Sequence, residues 1–519
     1  MDKLDYPTTS SRCAVVKAIR ARELRGVGNN IGEMFDDRCG SLSDTSRLIK
    51  ALRNREIRGK TRSNEMYGNI FERNRDKSIY QKDLKAHTGC VNAVEFSPQE
   101  EYIVSGGDDC NVLLWRTAKC CVEANPQPVT SMEAKHESNI FALRFSLFTE
   151  RIYSAGNDFR LLVHDLKTRA LLRTFTTHGG CYYRVSTHPA NDDVIAAASE
   201  DKHAYIYDLR LSEPAMKIKH RGHVFSVEYN RRQPNLIAVC SKSDGLVVHD
   251  IRKTTDYYAS AGSFTSNAIC AQWSPEGDAI FCIISKSDPI YFNLLNSEYM
   301  HLHDPEYKNL CTVKSCTFAG SNYLVTGSDD WNIYVWKVPD IWTGEETIDQ
   351  AYTVLKGHRS VVNHIQYAEQ SNLLISCGVE KIVKCWSAAE MQGSYREPKR
   401  RTRMGRMIIT QSPDADLIES TEEDLQVLYM FDHFYEDAVQ RELINLDSNS
   451  DDSSERAFLF TADSNENSSD DESFLSEITA TSCASEDEND STSDSDGVGR
   501  KRVRMEDASN EVAESSDEI

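Results

Sequence analysis

KAHTGCVNAVEFSPQEEYIVSGGDDCNVLLW, residues 85–115, sets the pattern to which most of the chain is cut. It opens near a His (His87) and runs through alternating apolar positions at Val91, Val94 and Phe96. A second apolar run holds Ser105, an acidic turn holds Asp109, and Trp115 closes the stretch. Alternation of period two, punctuated by turn residues, is the signature of half-buried antiparallel strands. The closing aromatic or its stand-in recurs at Trp115, His164, Tyr207, His249, Tyr291 or Phe292, Trp336 and Trp386, so seven copies follow one another. An acid stands six residues before the closing position at Asp109, Asp158, Asp201 and Asp330, with Glu380 as a conservative substitute.

A repeat of this length is one small sheet that cannot bury both faces alone, so successive sheets stack around an axis. The expected fold is all-β: a seven-bladed propeller over residues 78–387. The His, Ser, Asp and Trp positions read as scaffold, tying each turn to its strands; in the first copy they are His87, Ser105, Asp109 and Trp115, and His358 opens the last. The ends of the array match as well, Leu84-Lys85-Ala86-His87 against Leu355-Lys356-Gly357-His358. The run before the first copy is therefore expected to supply the outer strand of the last blade and remove a free edge.

The flanks differ in kind. Residues 1–77 are locally basic, and Ser43 to Ile57 reads as a short amphipathic helix with Leu48, Ile49 and Leu52 on one face. That face needs a burial site, on a partner or on the chain's own propeller. After Ser387 come a basic stretch and an aromatic-rich helix, expected within Thr421 to Ile444. The formal charge is -22, and residues 447–519 carry most of it, with 12 Asp and 10 Glu against 5 Lys and Arg. This Ser-rich acidic tail reads as disordered and open to acidophilic phosphorylation. Within it Arg500, Lys501, Arg502 and Arg504 resemble a nuclear-import signal. No early apolar run exceeds Ala14 to Val16 and no span of 18 apolar residues occurs, so a soluble intracellular protein is expected. The 15 Cys are scattered on strand-like stretches and read as small buried hydrophobes.

Catalysis needs convergent nucleophile, base or metal ligands, and the candidates are poor. Asp108-Asp109 and Asp329-Asp330 sit at repeat turns. Cys120-Cys121 and Cys311 with Cys316 lack zinc-site spacing, and His301 with His303 has no third ligand nearby. No stacking platform for nucleic acid is recognisable. The reading is of a protein that is not an enzyme and takes no metal or cofactor.

The third and fourth copies close on Tyr207-Asp208-Leu209-Arg210 and His249-Asp250-Ile251-Arg252. Consecutive blades thus place an Arg two residues after an Asp, on one rim. Each guanidinium either pairs with its own Asp or presents its fork to a partner's carboxylates and carbonyls. Aromatic-Asp-x-Arg ends of this kind, with the seven-copy array, the short helix at Leu48 and Leu52 and the helix leading into an acidic tail, resemble the WD-repeat substrate receptors of cullin-4 RING ubiquitin ligases. The resemblance implies docking on the damaged-DNA-binding adaptor through Tyr207, Asp208, Arg210, His249, Asp250, Arg252, Leu48, Ile49 and Leu52. It further implies that the opposite rim takes a protein substrate of unknown identity. The competing reading is a nuclear scaffold whose acidic tail binds histones or other basic proteins.

Overall fold

Period-two alternation in each copy becomes a four-stranded antiparallel sheet, and there are seven such sheets in a computed structural model. It describes residues 70–71, 79–176, 179–262, 264, 266–339, 347–397 and 425–448. The expectations for Leu48, Ile49 and Leu52, and for Arg500, Lys501, Arg502 and Arg504, fall outside these residues.

The blades share one register. The closing residue of each third strand lies opposite an Ile or Leu of the second strand: Ile103–Trp115, Ile152–His164, Ile195–Tyr207, Ile237–His249, Ile280–Phe292, Leu324–Trp336 and Leu374–Trp386. The fifth closing residue, left between Tyr291 and Phe292 by the sequence, is therefore Phe292, which is fully buried. Second strands such as Leu236–Ser241 and Ala279–Ile284 are buried at every position because both faces meet neighbouring blades.

The ring closes as the matching ends require. Tyr80–Lys85 pairs antiparallel with Ile382–Ser387, completing the seventh blade with the order outer strand, third, second, first. The chain then doubles back, and Tyr395 exchanges both backbone hydrogen bonds with Gln81 at 2.8 and 2.9 Å. This strap covers the outer strand that would otherwise be an open edge. A helical turn, α1 (Thr117–Val122), is inserted after the third strand of blade 1 and lengthens the stretch from Trp115 to His164.

Two elements outside the repeats dock on it. Ile70 and Phe71, assigned by sequence to the polar extension, are buried against Tyr323 and Tyr367 between blades 6 and 7. The aromatic-rich segment is a helix, α2 (Leu425–Ser448), whose Val427, Leu428 and Phe431 pack on Cys90, Val361 and Val379. No helix among the described residues is long and apolar enough to cross a membrane.

Candidate docking face

Antiparallel blades put two kinds of turn on each face. The loops before the first strands and the turns between second and third strands make one rim; the turns after the first and third strands make the other. The acidic turns belong to the first rim, and their chemistry is scaffold. His87 bridges Asp109 Oδ2 (2.8 Å) and Ser105 Oγ (2.7 Å), and Trp115 Nε1 donates to the same hydroxyl at 2.8 Å. Blade 7 repeats this with His358, Glu380, Ser376 and Trp386. Blade 2 repeats it with His136, Asp158, Ser154 and His164.

Asp201 and Asp330 serve their turns by other contacts, with His203 Nδ1 approaching Asp201 Oδ1 at 3.4 Å from within the turn itself. Asp201 accepts from the backbone of His203 at 3.1 Å, Asp330 from that of Asn332 at 3.1 Å, and each also accepts a Tyr hydroxyl, from Tyr205 and Tyr334. The residue between acid and donor takes a positive φ: 59° at Cys110, 60° at Phe159, 71° at Lys202 and 74° at Trp331. A short acidic side chain closing on the amide two residues later is what holds that backbone.

Blade 4 has the same device one residue out of place. Asp244, five before His249, bonds His220 Nδ1 at 3.1 Å, and Gly245 with φ 70° makes the shortened turn. A fixed six-residue ruler misses it; the Asp-Gly pair was the signal.

On the other rim the Arg-bearing ends stand out. Arg210 Nε and Nη2 reach Asp208 at 2.8 and 2.5 Å, and Arg252 reaches Asp250 at 2.9 and 2.6 Å. In both, the Arg backbone amide also donates to the Asp at 3.0 Å. Hydrogen bonds from the Arg side chain, then from its amide, pull each carboxyl down to about 2. Each Arg is thus held by its own Asp yet remains 68% exposed, with Nη1 turned to no described partner. The two readings of these residues are therefore compatible: the Asp aims the fork and spends two of its five donors.

Tyr207 and His249 play a different part from the one the sequence suggested. Both are buried, at 1% and 2%, so they anchor the strand that carries the Arg and offer no contact surface. Tyr207 shares a hydrogen bond with the Tyr182 hydroxyl, whereas both ring nitrogens of His249 lack a partner. The exposed positions two after the strand end continue round the rim as Lys167, paired with Glu150 at 2.5 Å, and Leu295, 84% exposed. Leu295 was not foreseen, because blade 5 carries Asn293 where blades 2, 3 and 4 carry Asp165, Asp208 and Asp250.

Among the described residues no cluster of His, Cys, Asp or Glu is arranged to hold a metal ion. Asp329 is consumed by Lys314 and by the amides of Leu310 and Cys311, and His303 pairs with Asp288 at 2.9 Å.

Comparison with known proteins agrees with this architecture. The family described as WD domain, G-beta repeat, matches residues 78–116, 169–208, 307–337 and 350–387. DDB1- and CUL4-associated factor 5 of mouse and of human are each 32% identical over 410 residues, covering 74% of this chain and 43% of theirs. Human WD and tetratricopeptide repeats protein 1 is 26% identical over 201 residues, covering 36% of this chain and 29% of its own. Mouse DDB1- and CUL4-associated factor 6 is 25% identical over 254 residues, covering 43% and 27%. The chain spans less than half the length of these relatives. Seven blades in one register, Arg-tipped strand ends and a likeness running through three quarters of the sequence make this chain a WD-repeat protein of the DDB1- and CUL4-associated factor family.

Proposed function

We propose that the chain is the substrate-recognition subunit of a cullin-4 RING ubiquitin ligase, bridging the adaptor to a protein substrate by binding alone. The observation that carries this is the pair of exposed, Asp-aimed guanidinium forks at the same position of blades 3 and 4. Two pre-oriented forks on one rim suit carboxylates and backbone carbonyls of a protein surface and have no other work in the fold. The names of the relatives support the identity of that surface as the adaptor. The apolar face of Leu48, Ile49 and Leu52 would add a hydrophobic anchor, and the basic cluster Arg500 to Arg504 would direct the protein to the nucleus.

The test is affinity purification of the full chain from cells, scoring adaptor and cullin. Arg210→Glu with Arg252→Glu should reduce recovery at least about tenfold, since reversing rim charges against a complementary surface costs more than about 1.4 kcal/mol. Undiminished recovery, with an unchanged melting curve, would refute docking through this rim. Deleting residues 447–519 should leave adaptor recovery nearly unchanged, whereas a protein whose acidic tail is the functional element would lose capture of histones with that deletion.

A further inference from the structure

The seven first strands converge on an axial well of about 320 Å³. It is lined at its mouth by the turns that follow those strands, among them Ser97, Pro98, Ser274, Pro275 and Glu369, so it opens on the Arg-bearing rim. Most charge inside is matched. Arg144 is 6% exposed, bonds Glu95 at 2.9 Å and Glu228 across the axis, and reaches Val185 O with Nε at 3.1 Å. Arg184 is matched less well: its described contact is a long 3.4 Å approach to His364 Nε2, with no carboxylate partner.

Cysteines cluster behind this cation. Cys316, on the first strand of blade 6, lines the well, and its Sγ lies 3.7 Å from that of Cys270 on the first strand of blade 5. The Cys316 thiol points its hydrogen toward Cys270 Sγ or toward Phe281 O at 3.6 Å. A hydrogen bond from Cys316, helped by the charge of Arg184 and opposed by burial, lowers the Cys270 thiol below its ordinary range. Burial, then the bond to Cys270, raises Cys316. The surroundings thus favour the thiolate at Cys270, while Cys316 keeps its proton in the contact between the two sulfurs. A second pair, Cys240 and Cys282 at 3.9 Å, is fully buried and does not line the well.

We propose that Cys270 and Cys316 form a peroxide-sensitive thiol pair that closes to a disulfide between blades 5 and 6. A hydroperoxide entering the well meets Cys316 first. Cys316 hands its proton to the Cys270 thiolate across the 3.7 Å contact, and its sulfur, now the thiolate, takes the distal oxygen; the O–O bond breaks, and the departing hydroxide or alkoxide takes a proton from solvent. Cys270 then attacks the resulting sulfenic sulfur, the S–S bond forms and water leaves. Two thiols lose two electrons and two protons, and the peroxide is reduced to water, or to water and an alcohol. The sulfurs need only close from 3.7 Å to about 2.05 Å, and they sit on inner strands that face one another across a blade seam.

The experiment treats the reduced full chain with graded hydrogen peroxide and counts free thiols by alkylation and peptide mapping. Cys270 and Cys316 should be lost together, about tenfold faster than Cys240 and Cys282, as a linked peptide two hydrogens lighter that dithiothreitol restores. In Cys270→Ser the link should vanish and dimedone should label Cys316. The proposal is overturned if both thiols stay alkylatable at peroxide levels that consume the half-exposed Cys110, if the wild-type link joins other cysteines, or if Cys316 of folded Cys270→Ser takes no dimedone.

Discussion

Single residues in this fold matter in proportion to how many partners each leaves behind. Ser376 Oγ serves both His358 Nε2 at 2.6 Å and Trp386 Nε1 at 2.7 Å in a fully buried site. Ser376→Ala leaves the Trp386 indole N–H and the His358 Nε2 without their shared partner and should lower stability by about 1–3 kcal/mol, read from the urea midpoint. The His residues that replace Trp set a pH dependence instead. Burial, and the proximity of another His, lower both His164 and His249 from 6.5 to about 4. Both stay neutral when folded but protonate near their ordinary value when unfolded. The unfolded state therefore binds more protons between pH 4 and 6.5, and stability is present above pH 6.5 and falls as pH drops toward 4. Each group should cost about 2 kcal/mol at pH 5 relative to pH 8. His249→Phe, the side-chain type that blade 5 uses there at Phe292, should flatten that slope in melts taken across the range.

Among the elements, α2 is the one whose placement changes a functional expectation. Its Val427, Leu428 and Phe431 sit on Cys90, Val361 and Val379, beside the first and last copies of the repeat. That is the rim the family resemblance leaves for substrate, so the helix occupies its blade 7 and blade 1 sector. Leu428 is 1% exposed, and burying a charge there without a partner is costly. Leu428→Asp should release the helix, seen as faster amide exchange throughout 427–441 with the blade strands unchanged. An unaltered exchange profile would mean that the aromatic face does not hold it.

Across the whole molecule, the blades are joined at the axis as well as at their seams. Arg144 of blade 2 binds Glu95 of blade 1 and Glu228 of blade 4. The two carboxylates outweigh burial and hold its charge far above the ordinary range. Arg144→Met keeps the stem but leaves two buried carboxylates without a cation, so a loss of about 3–5 kcal/mol is expected, measured as a drop in thermal midpoint. Replacing all three with apolar residues should recover much of it, because the desolvation cost goes with the charges.

The sequence by itself determined the all-β repeat, the number of copies, the outer strand that closes the ring and the scaffold role of His87, Ser105, Asp109 and Trp115. These follow from local spacing: alternation, turn chemistry and the return of one register. The two Arg ends were legible too, since both the Asp and the Arg lie within one turn. What only the tertiary structure decided was everything that depends on residues far apart in the chain. Phe292 was fixed by pairing with Ile280; Tyr207 and His249 were turned from contacts into buried anchors. Ile70 and Phe71 became core, and the axial set of Glu95, Arg144, Glu228, Arg184, Cys270 and Cys316 was assembled from six separate strands. No spacing rule relates such residues, because what brings them together is the closure of the ring.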